Sequence, residues 1–243
     1  MCKIYIVGIG PGGREHITNA ALNAIDESNV VVGYSTYISF IDHLLANKRV
    51  EQNGMKKEVE RCKLALNLAN EGNIVSLVSG GDAGVYGMAG IMLEVANSEN
   101  SKVEIEVIPA VSAVNAAAAC LGAPVMHDFA VISLSDLLTP WELIEKRLKC
   151  AGMGDFIVAL YNPKSIKRDW QIQKAREILL KYKKQQTPVG IVRNAKREGE
   201  TVVITTLEEM CNCEIDMFTV VIIGNNQTYT ENGKIITPRG YKL

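Results

Sequence analysis

A glycine-rich loop at residues 80–87 constrains the fold of this chain more than any other feature. It reads GGDAGVYG, and it lies between an apolar run at 74–78 and a helical pattern that begins at Met88. Glycine lets the backbone come close to a ligand, and open α/β sheets bind small molecules in loops at the carboxyl ends of buried strands. The pattern predicts a ligand-binding loop. The alternative is a long βα turn in which the glycines only allow the backbone conformation of the turn.

A second glycine loop, at residues 8–13, follows a predicted strand at 3–7 and formally matches the G-x-G-x-x-G fingerprint of dinucleotide-binding folds. We interpret the match as false, because the next strand ends in Gly33-Tyr34 and brings no carboxylate to hold a ribose. Pro11 also lacks the amide hydrogen that a pyrophosphate would need. The two loops suit a ligand with a nucleoside and no phosphates, and a nicotinamide-dependent oxidoreductase is the alternative.

The composition indicates an α/β protein of two domains. Hydrophobic residues make up 47% of the 243 residues, and strand-like and helix-like patterns alternate along the chain. Glycine and proline in Leu121-Gly122-Ala123-Pro124 stop a helix. We therefore predict an N-terminal α/β domain at residues 1–122 and a C-terminal α/β domain at 123–243.

Charge and hydropathy limit the partners of this chain. The formal net charge of −1 gives no global attraction to nucleic acid or to an anionic membrane. No apolar run approaches the roughly 20 residues that cross a bilayer, and glycines interrupt the apolar N-terminal stretch, unlike a signal peptide. We expect a cytoplasmic protein without nucleic-acid or membrane partners.

Cysteine and histidine usage argues against a disulfide framework and against a metal centre. Four of the six cysteines are scattered, and the close pair Cys211 and Cys213 has no second pair or nearby histidine to complete a zinc site. Only three histidines are present. We predict no protein-bound metal.

Hydrophobic periodicity gives the predicted elements. Strands are predicted near residues 3–7, 29–33, 74–79, 103–108, 129–134, 155–160, 188–192, 202–205 and 218–223, followed by antiparallel strands at the C-terminal end. Helices are predicted near 18–26, 36–45, 55–71, 84–97, 112–121 and 139–150. The last helix has Thr139 as its expected N-cap and Pro140 at its expected first position.

Three stretches together resemble the tetrapyrrole methylases, which transfer a methyl group from S-adenosylmethionine to a carbon of a corrin or porphyrin precursor. They are residues 7–12, 79–87 and 108–113, and the resemblance covers essentially the whole chain. Ala83 and Ala110 stand where the family usually has proline and glycine. The resemblance implies two α/β domains with a cofactor cleft between them, and a homodimer.

The resemblance also implies which residues contact S-adenosylmethionine. They are Pro11, Gly81, Asp82, Ala83, Val85, Tyr86, Ser112, Ala113, Tyr161, Asn162 and Asn194. Asp82 could meet the ammonium group or a ribose hydroxyl. In glycine-rich turns aspartate also bonds nearby backbone amides, so both interpretations stay open.

Further stretches at 32–38, 127–136 and 161–165 are similar to the family members that methylate C-17 of a precorrin-3 intermediate in cobalamin biosynthesis. In that subgroup methylation accompanies contraction of the ring, and the substrate is either metal-free or contains cobalt. A family member acting on another carbon is the nearest alternative. A non-catalytic sensor of S-adenosylmethionine is a third possibility.

Tetrapyrrole precursors carry many carboxylates, and basic and hydroxyl side chains of the second domain could bind them. Arginine pairs bidentately with a carboxylate, which favours Arg193 and Arg197. The predicted substrate-binding residues are Ser133, Ser135, Lys164, Arg193 and Arg197. We interpret Lys167 and Arg168 as a solvated surface run.

Ring contraction needs proton transfers, and His127 next to Asp128 is the predicted general acid or base. A histidine beside an aspartate is more often structural, and that alternative stays open. Ser135 could likewise cap a turn instead of contacting substrate.

Overall fold

The computed structural model describes residues 2–11, 13–165 and 168–242. The chain forms two compact units, Met1–Ala113 and Val114–Leu243. The division falls after the first residue of the helix that was predicted to end the N-terminal domain. Two contacts explain the difference: the Val114 N–H donates to the Tyr161 hydroxyl at 2.7 Å, and Leu121 packs on the bare Cα of Gly190. Packing, and not the glycine–proline stop, determines where this helix belongs.

The first unit alternates strands with helices. Its elements are β1 (Lys3–Gly8), α1 (Asn19–Glu27), β2 (Val30–Tyr34), α2 (Ser35–Phe40), β3 (Arg49–Asn53), α3 (Glu58–Asn70), β4 (Ile74–Ser79), α4 (Met88–Ser98) and β5 (Glu104–Ile108). The strands form one parallel sheet in the order β3-β2-β4-β1-β5. The apolar runs of β1, β2 and β4 occupy its centre, as expected for strands covered on both faces.

Alternation along β1 divides the core of the first unit between the two faces of its sheet. Ile4 and Ile6 are fully buried in one cluster with residues of α3 and α4. Tyr5 and Val7 point to the other face and pack in a second cluster with residues of α1 and α2. Each face of the sheet therefore carries its own helical layer, which leaves the strand ends for the loops.

The second unit contains a mixed sheet and a small three-stranded sheet. Its elements are α5 (Ala113–Leu121, which begins at the last residue of the first unit), β6 (Gly122–Ala123), β7 (Phe129–Ser133), α6 (Trp141–Met153), β8 (Ile157–Tyr161), α7 (Trp170–Leu179), β9 (Pro188–Arg193), β10 (Thr201–Thr206), β11 (Thr219–Ile223), β12 (Tyr229–Glu231) and β13 (Lys234–Ile236). The larger sheet has the order β10-β9-β11-β8-β7, in which β7 and β8 are parallel and the other pairs antiparallel. The antiparallel pair β12–β13 confirms the strands predicted at the C-terminal end.

The start of α6 corrects one sequence prediction. Pro140 has φ −57° and ψ 141°, so it caps the helix from an extended conformation and Trp141 is the first helical residue. The predicted cap at Thr139 is wrong by one residue. The prediction also missed β3, β6 and α7, and it began α4 four residues too early, within the glycine loop.

Within the described ranges, no helix has the length and apolar character needed to cross a bilayer. The same residues contain no group of three or more histidine, cysteine, aspartate or glutamate side chains placed to hold a metal ion.

Candidate functional site

The two glycine loops are hydrogen-bonded to each other in the first unit. The Gly10 N–H donates to the Gly81 carbonyl at 3.1 Å, and the Gly81 N–H donates back to the Gly10 carbonyl at 2.9 Å. The Ile9 N–H adds a bond to the Ser79 carbonyl at 3.0 Å. Because β1 and β4 are neighbouring parallel strands, their loops leave the same edge of the sheet and meet there.

Gly81 gives this loop pair an open backbone surface. Its φ is +66°, a left-handed conformation that favours glycine, and the nearest atom to a Cβ built there is the Ala113 N at 3.8 Å. A ligand can therefore approach the Gly81 backbone closely. Residues 8–11 and 13 are described; Gly12, part of the predicted motif, lies outside the described residues.

The Asp82 side chain joins this loop to the one after β5. Its Oδ1 accepts the Gly84 N–H at 2.8 Å, and its Oδ2 accepts the Ala110 N–H at 2.9 Å. The structure thus contains the backbone bonding that was one of the two interpretations of Asp82. A contact with a bound cofactor remains a prediction.

The other predicted cofactor residues of the first unit differ in exposure. Pro11, Ala83 and Ser112 are buried, so they shape the loops from within. Tyr86 is 58% exposed and has φ +52°, an uncommon conformation for an aromatic residue, while Val85 is 37% exposed. Tyr86 and Val85 are therefore the side chains best placed to form an apolar wall against a ligand.

The sheet order argues against the nicotinamide alternative. Dinucleotide-binding folds place the first and second strands side by side, whereas here β4 lies between β1 and β2. The residue that ends β2 is Tyr34, and its ring stacks edge-on with Tyr37 at 5.3 Å between centroids. This strand end therefore offers an aromatic ring where a ribose-binding carboxylate would be needed.

In the second unit, the carboxyl ends of β7 and β8 bring several predicted residues together. The Asn162 Nδ2 donates to Ser133 Oγ at 3.0 Å, and the Ser135 N–H donates to the same oxygen at 3.2 Å. Asn162 has φ +49°, and Tyr161 before it holds the start of α5 through its hydroxyl. These residues form one connected polar group.

Arg168 corrects the expectation of a solvated basic run. It is only 7% exposed, and it donates through Nη1 to the Asn162 carbonyl. Burial lowers the pKa of Arg168, and the charge of Asp136 opposes that effect. Arg168 therefore supports the 161–165 loop from inside the unit; Lys164 is half-buried, and Lys167 lies outside the described residues.

Arg193 is already paired inside the second unit. Its Nε donates to Asp216 Oδ2 at 2.6 Å, and this hydrogen bond raises the pKa of Arg193. Burial alone would raise the pKa of Asp216, but hydrogen bonds from Arg193, the Phe218 N–H and the Thr219 hydroxyl together hold it below its usual value. A substrate carboxylate would have to compete with Asp216 for the guanidinium.

The loop after β9 holds the remaining basic candidate. The Asn194 N–H donates to the Phe218 carbonyl at 3.1 Å, and the Arg197 N–H donates to the Asn194 carbonyl at 2.9 Å. Asn194 has φ +49°, and Arg197 is half-buried. The backbone of Asn194 thereby fixes the position of Arg197 in this loop.

His127 lies at the amino end of β7. Its Nδ1 accepts the Asp128 N–H at 2.8 Å and lies 3.4 Å from Asp128 Oδ2, and the Asp128 side chain is 76% exposed. β7 begins two residues after His127, and Ser133 ends this strand four residues further on, about 13 Å along it at the usual rise of roughly 3.3 Å per residue. The structure therefore does not bring His127 and Asp128 together with the Ser133–Asn162 group.

The chain matches one family over most of its length. Residues 3–211 match the family described as Tetrapyrrole (Corrin/Porphyrin) Methylases. The chain belongs to this family. The family and the α/β fold that the motifs predicted are thereby confirmed.

Individual relatives cover nearly the whole chain. It is 51% identical over 99% of its length to a Cobalt-factor III methyltransferase of Priestia megaterium, although it spans only 45% of that protein. It is 47% identical to a Probable cobalt-factor III C(17)-methyltransferase of Salmonella typhimurium, covering 99% of this chain and 100% of the relative. The crystal structure of the methyltransferase CobJ superposes with a TM-score of 0.91 at 34% identity, covering 98% of this chain and all of CobJ.

Sequence reasoning missed one residue of the loop pair. Ser79 is buried at the end of β4, and its Oγ accepts the N–H of Met88, the first residue of α4, at 3.3 Å. This bond ties both ends of the 80–87 loop together. A serine at the end of an otherwise apolar strand, directly before glycines, is the signal that could have indicated it.

Proposed function

We propose that this protein transfers a methyl group from S-adenosylmethionine to C-17 of cobalt-factor III, with contraction of the ring, in cobalamin biosynthesis. The observation that carries the proposal is the 47% identity over the full length of the Salmonella typhimurium relative of that name. The Priestia megaterium relative has a corresponding name, and this chain spans about half of it.

The loop pair of the first unit fits the nucleoside of this cofactor. An adenosine needs a backbone that it can approach closely and an apolar wall, but it needs no N–H groups to bind phosphate. The loop pair offers the open left-handed backbone at Gly81 and the exposed side chains of Val85 and Tyr86. The residues proposed to hold the cofactor from this unit are Pro11, Gly81, Asp82, Ala83, Val85, Tyr86, Ser112 and Ala113. Tyr161, Asn162 and Asn194 belong to the second unit, and their contribution stays a prediction.

The protein's task in such a transfer is alignment. S-adenosylmethionine supplies a methyl group already activated on a sulfonium, so the residues must position the acceptor carbon in line and exclude water. The reciprocal bonds between Gly10 and Gly81, and the bridge from Asp82 to Ala110, hold the loops that would do this.

Substrate carboxylates are proposed to meet Lys164, Arg197 and the hydroxyl groups of Ser133 and Ser135. Arg193 contributes only where it can share its guanidinium with Asp216, to which it is hydrogen-bonded. We also propose that the protein is cytoplasmic and works as a homodimer, with cobalt arriving inside the substrate.

Mass spectrometry of the reaction products tests the proposal. Purified protein is incubated anaerobically with S-adenosylmethionine and either cobalt-factor III or its metal-free counterpart. A gain of one methyl group with the cobalt substrate, located at C-17 by NMR, is the expected result. Methylation at another carbon would indicate a different member of the family, and cofactor binding without methylation of either compound would overturn the proposal in favour of a sensor.

A further inference from the structure

Arg61, in the first turn of α3, is a buried cation whose hydrogen-bond partners are all neutral. It is 3% exposed. Its Nε donates to Asn53 Oδ1 at 2.9 Å and its Nη2 to the Gly54 carbonyl at 3.0 Å, while Nη1 faces the Met88 sulfur at 3.7 Å. No ion pair among the described residues includes Arg61.

The Arg61 guanidinium is buried without a carboxylate partner among the described residues, and this burial of a charge needs an explanation. Arginine keeps its proton in proteins, so it cannot relieve burial by becoming neutral. Removing a charge from water is unfavourable unless an opposite charge compensates it. The neighbouring acid Glu60 does not do so, because it is exposed and pairs with Lys57 at 2.7 Å. An anionic group brought by a ligand would compensate the charge.

The surroundings of Arg61 lead directly to the glycine loop. Its guanidinium carbon lies 5.9 Å from the centre of the Tyr34 ring, and Tyr34 stacks edge-on with Tyr37 at 5.3 Å. The Tyr37 ring covers the bare Cα of Gly80, where a Cβ would lie only 2.6 Å from Tyr37 Cε1. On the other side, Met88 is hydrogen-bonded to Ser79. The charge and the two tyrosine rings thus flank the proposed cofactor loop within one unit.

We propose that Arg61 binds a carboxylate of the tetrapyrrole substrate, with Tyr34 and Tyr37 forming the apolar wall beside it. This inference rests on the proposed function and adds a substrate-binding group in the first unit. Nη1 is the nitrogen that makes the contact, because a thioether is a weak acceptor and a flexible methionine side chain moves aside readily. Nε and Nη2 meanwhile keep the turn after β3 in place through Asn53 and Gly54.

Asn53→Asp tests the charge without removing the arginine. The replacement is nearly isosteric and puts a carboxylate oxygen where Asn53 Oδ1 accepts from Arg61 at 2.9 Å. The new internal ion pair should preserve or raise stability, while it compensates Arg61 and repels an incoming carboxylate. We expect the Kd for cobalt-factor III, measured by anaerobic absorbance titration, to rise at least tenfold, and the Kd for S-adenosylhomocysteine to change less than twofold.

Asn67→Asp is the matched control. It makes the same chemical change at an exposed position of α3, so it alters the net charge equally without approaching Arg61. We expect unchanged affinity for both ligands. Arg61→Lys and Arg61→Gln extend the series: lysine should retain part of the affinity for cobalt-factor III, and glutamine should lose more of it.

The outcomes separate this inference from the function on which it rests. If the wild type methylates cobalt-factor III and Asn53→Asp binds it as tightly as the wild type, Arg61 does not bind a substrate carboxylate. Equal losses for Asn53→Asp and Asn67→Asp would also overturn the inference, because they would reflect net charge. If the wild type neither binds nor methylates cobalt-factor III, the proposed function fails and this inference fails with it.

Discussion

The Asp82 carboxylate connects two loops by accepting the Ala110 N–H at 2.9 Å while it also accepts the Gly84 N–H at 2.8 Å. Each of these hydrogen bonds contributes about 1 kcal/mol to the free energy of unfolding. Its loss costs more where the N–H group left without an acceptor is buried. The Asp82 side chain therefore supports the two loops even when no ligand is bound.

Asp82→Ala should destabilise the first unit and weaken cofactor binding, because both N–H groups lose their acceptor. We expect a lower melting temperature in calorimetry and at least a tenfold higher Kd for S-adenosylhomocysteine in titration calorimetry. Asp26→Ala, at an exposed position of α1, is the control and should alter neither quantity. Wild-type stability in Asp82→Ala would show that the two bonds do not support the loops.

Gly81→Ala should weaken cofactor binding beyond its effect on stability. An L-residue in the left-handed region costs about 1–2 kcal/mol, and the added methyl group enters the open space above the loop. Gly72→Ala is the matched control, since Gly72 also has positive φ and open space around it but lies after α3. We expect similar losses of melting temperature in both variants, and a raised Kd for S-adenosylhomocysteine in Gly81→Ala alone. Equal affinities would argue against cofactor contact at Gly81.

His127→Asn should leave turnover within twofold of the wild type. The side chain lies at the opposite end of β7 from Ser133, and the asparagine oxygen can replace Nδ1 as acceptor of the Asp128 N–H. Single-turnover kinetics with cobalt-factor III provide the measurement, and S-adenosylhomocysteine affinity checks that folding is intact. A loss of tenfold or more, about 1.4 kcal/mol in the barrier, would instead support His127 as the general acid or base.

Asp216→Asn should reveal a pH-dependent contribution to stability. The folded-state pKa of Asp216 is lowered, so the stabilisation is fully present above its ordinary value of 3.8 and disappears as pH falls through the lower folded value. We expect Asp216→Asn to melt below the wild type at pH 7 and the difference to shrink in acid. Glu198→Gln, which removes a charge from an exposed side chain, should show no such difference. A difference in melting temperature that persists in acid would mean that the charge of Asp216 does not cause it.

The sequence predicted the elements that are buried on both faces, because such elements consist almost entirely of apolar residues. The valine and isoleucine runs of β1, β2 and β4 are covered on both faces, and all three were located within a residue or two. By contrast, β3 is a partly exposed edge strand with charged and amide side chains, so its sequence has no apolar alternation. It exists because it pairs with β2, which is a non-local fact.

The candidate site also contains features that the sequence predicted and features that it did not. Glycine spacing indicated both loops, but their mutual hydrogen bonds join residues about seventy positions apart and have no local signal. Arg168 and Arg61 each stand in a polar stretch typical of a solvated surface, yet both are buried. Their burial depends on tertiary packing that no periodicity could indicate.

The paired bonds between Gly10 and Gly81 have a consequence for engineering. A change of backbone path at Gly10 or at Gly81 breaks the pairing of both loops, so the two behave as one exchangeable part. Grafting the 80–87 loop alone from a relative should disrupt the recipient, whereas transplanting it together with residues 8–13 should preserve the pairing. Loop libraries should therefore vary both segments at once.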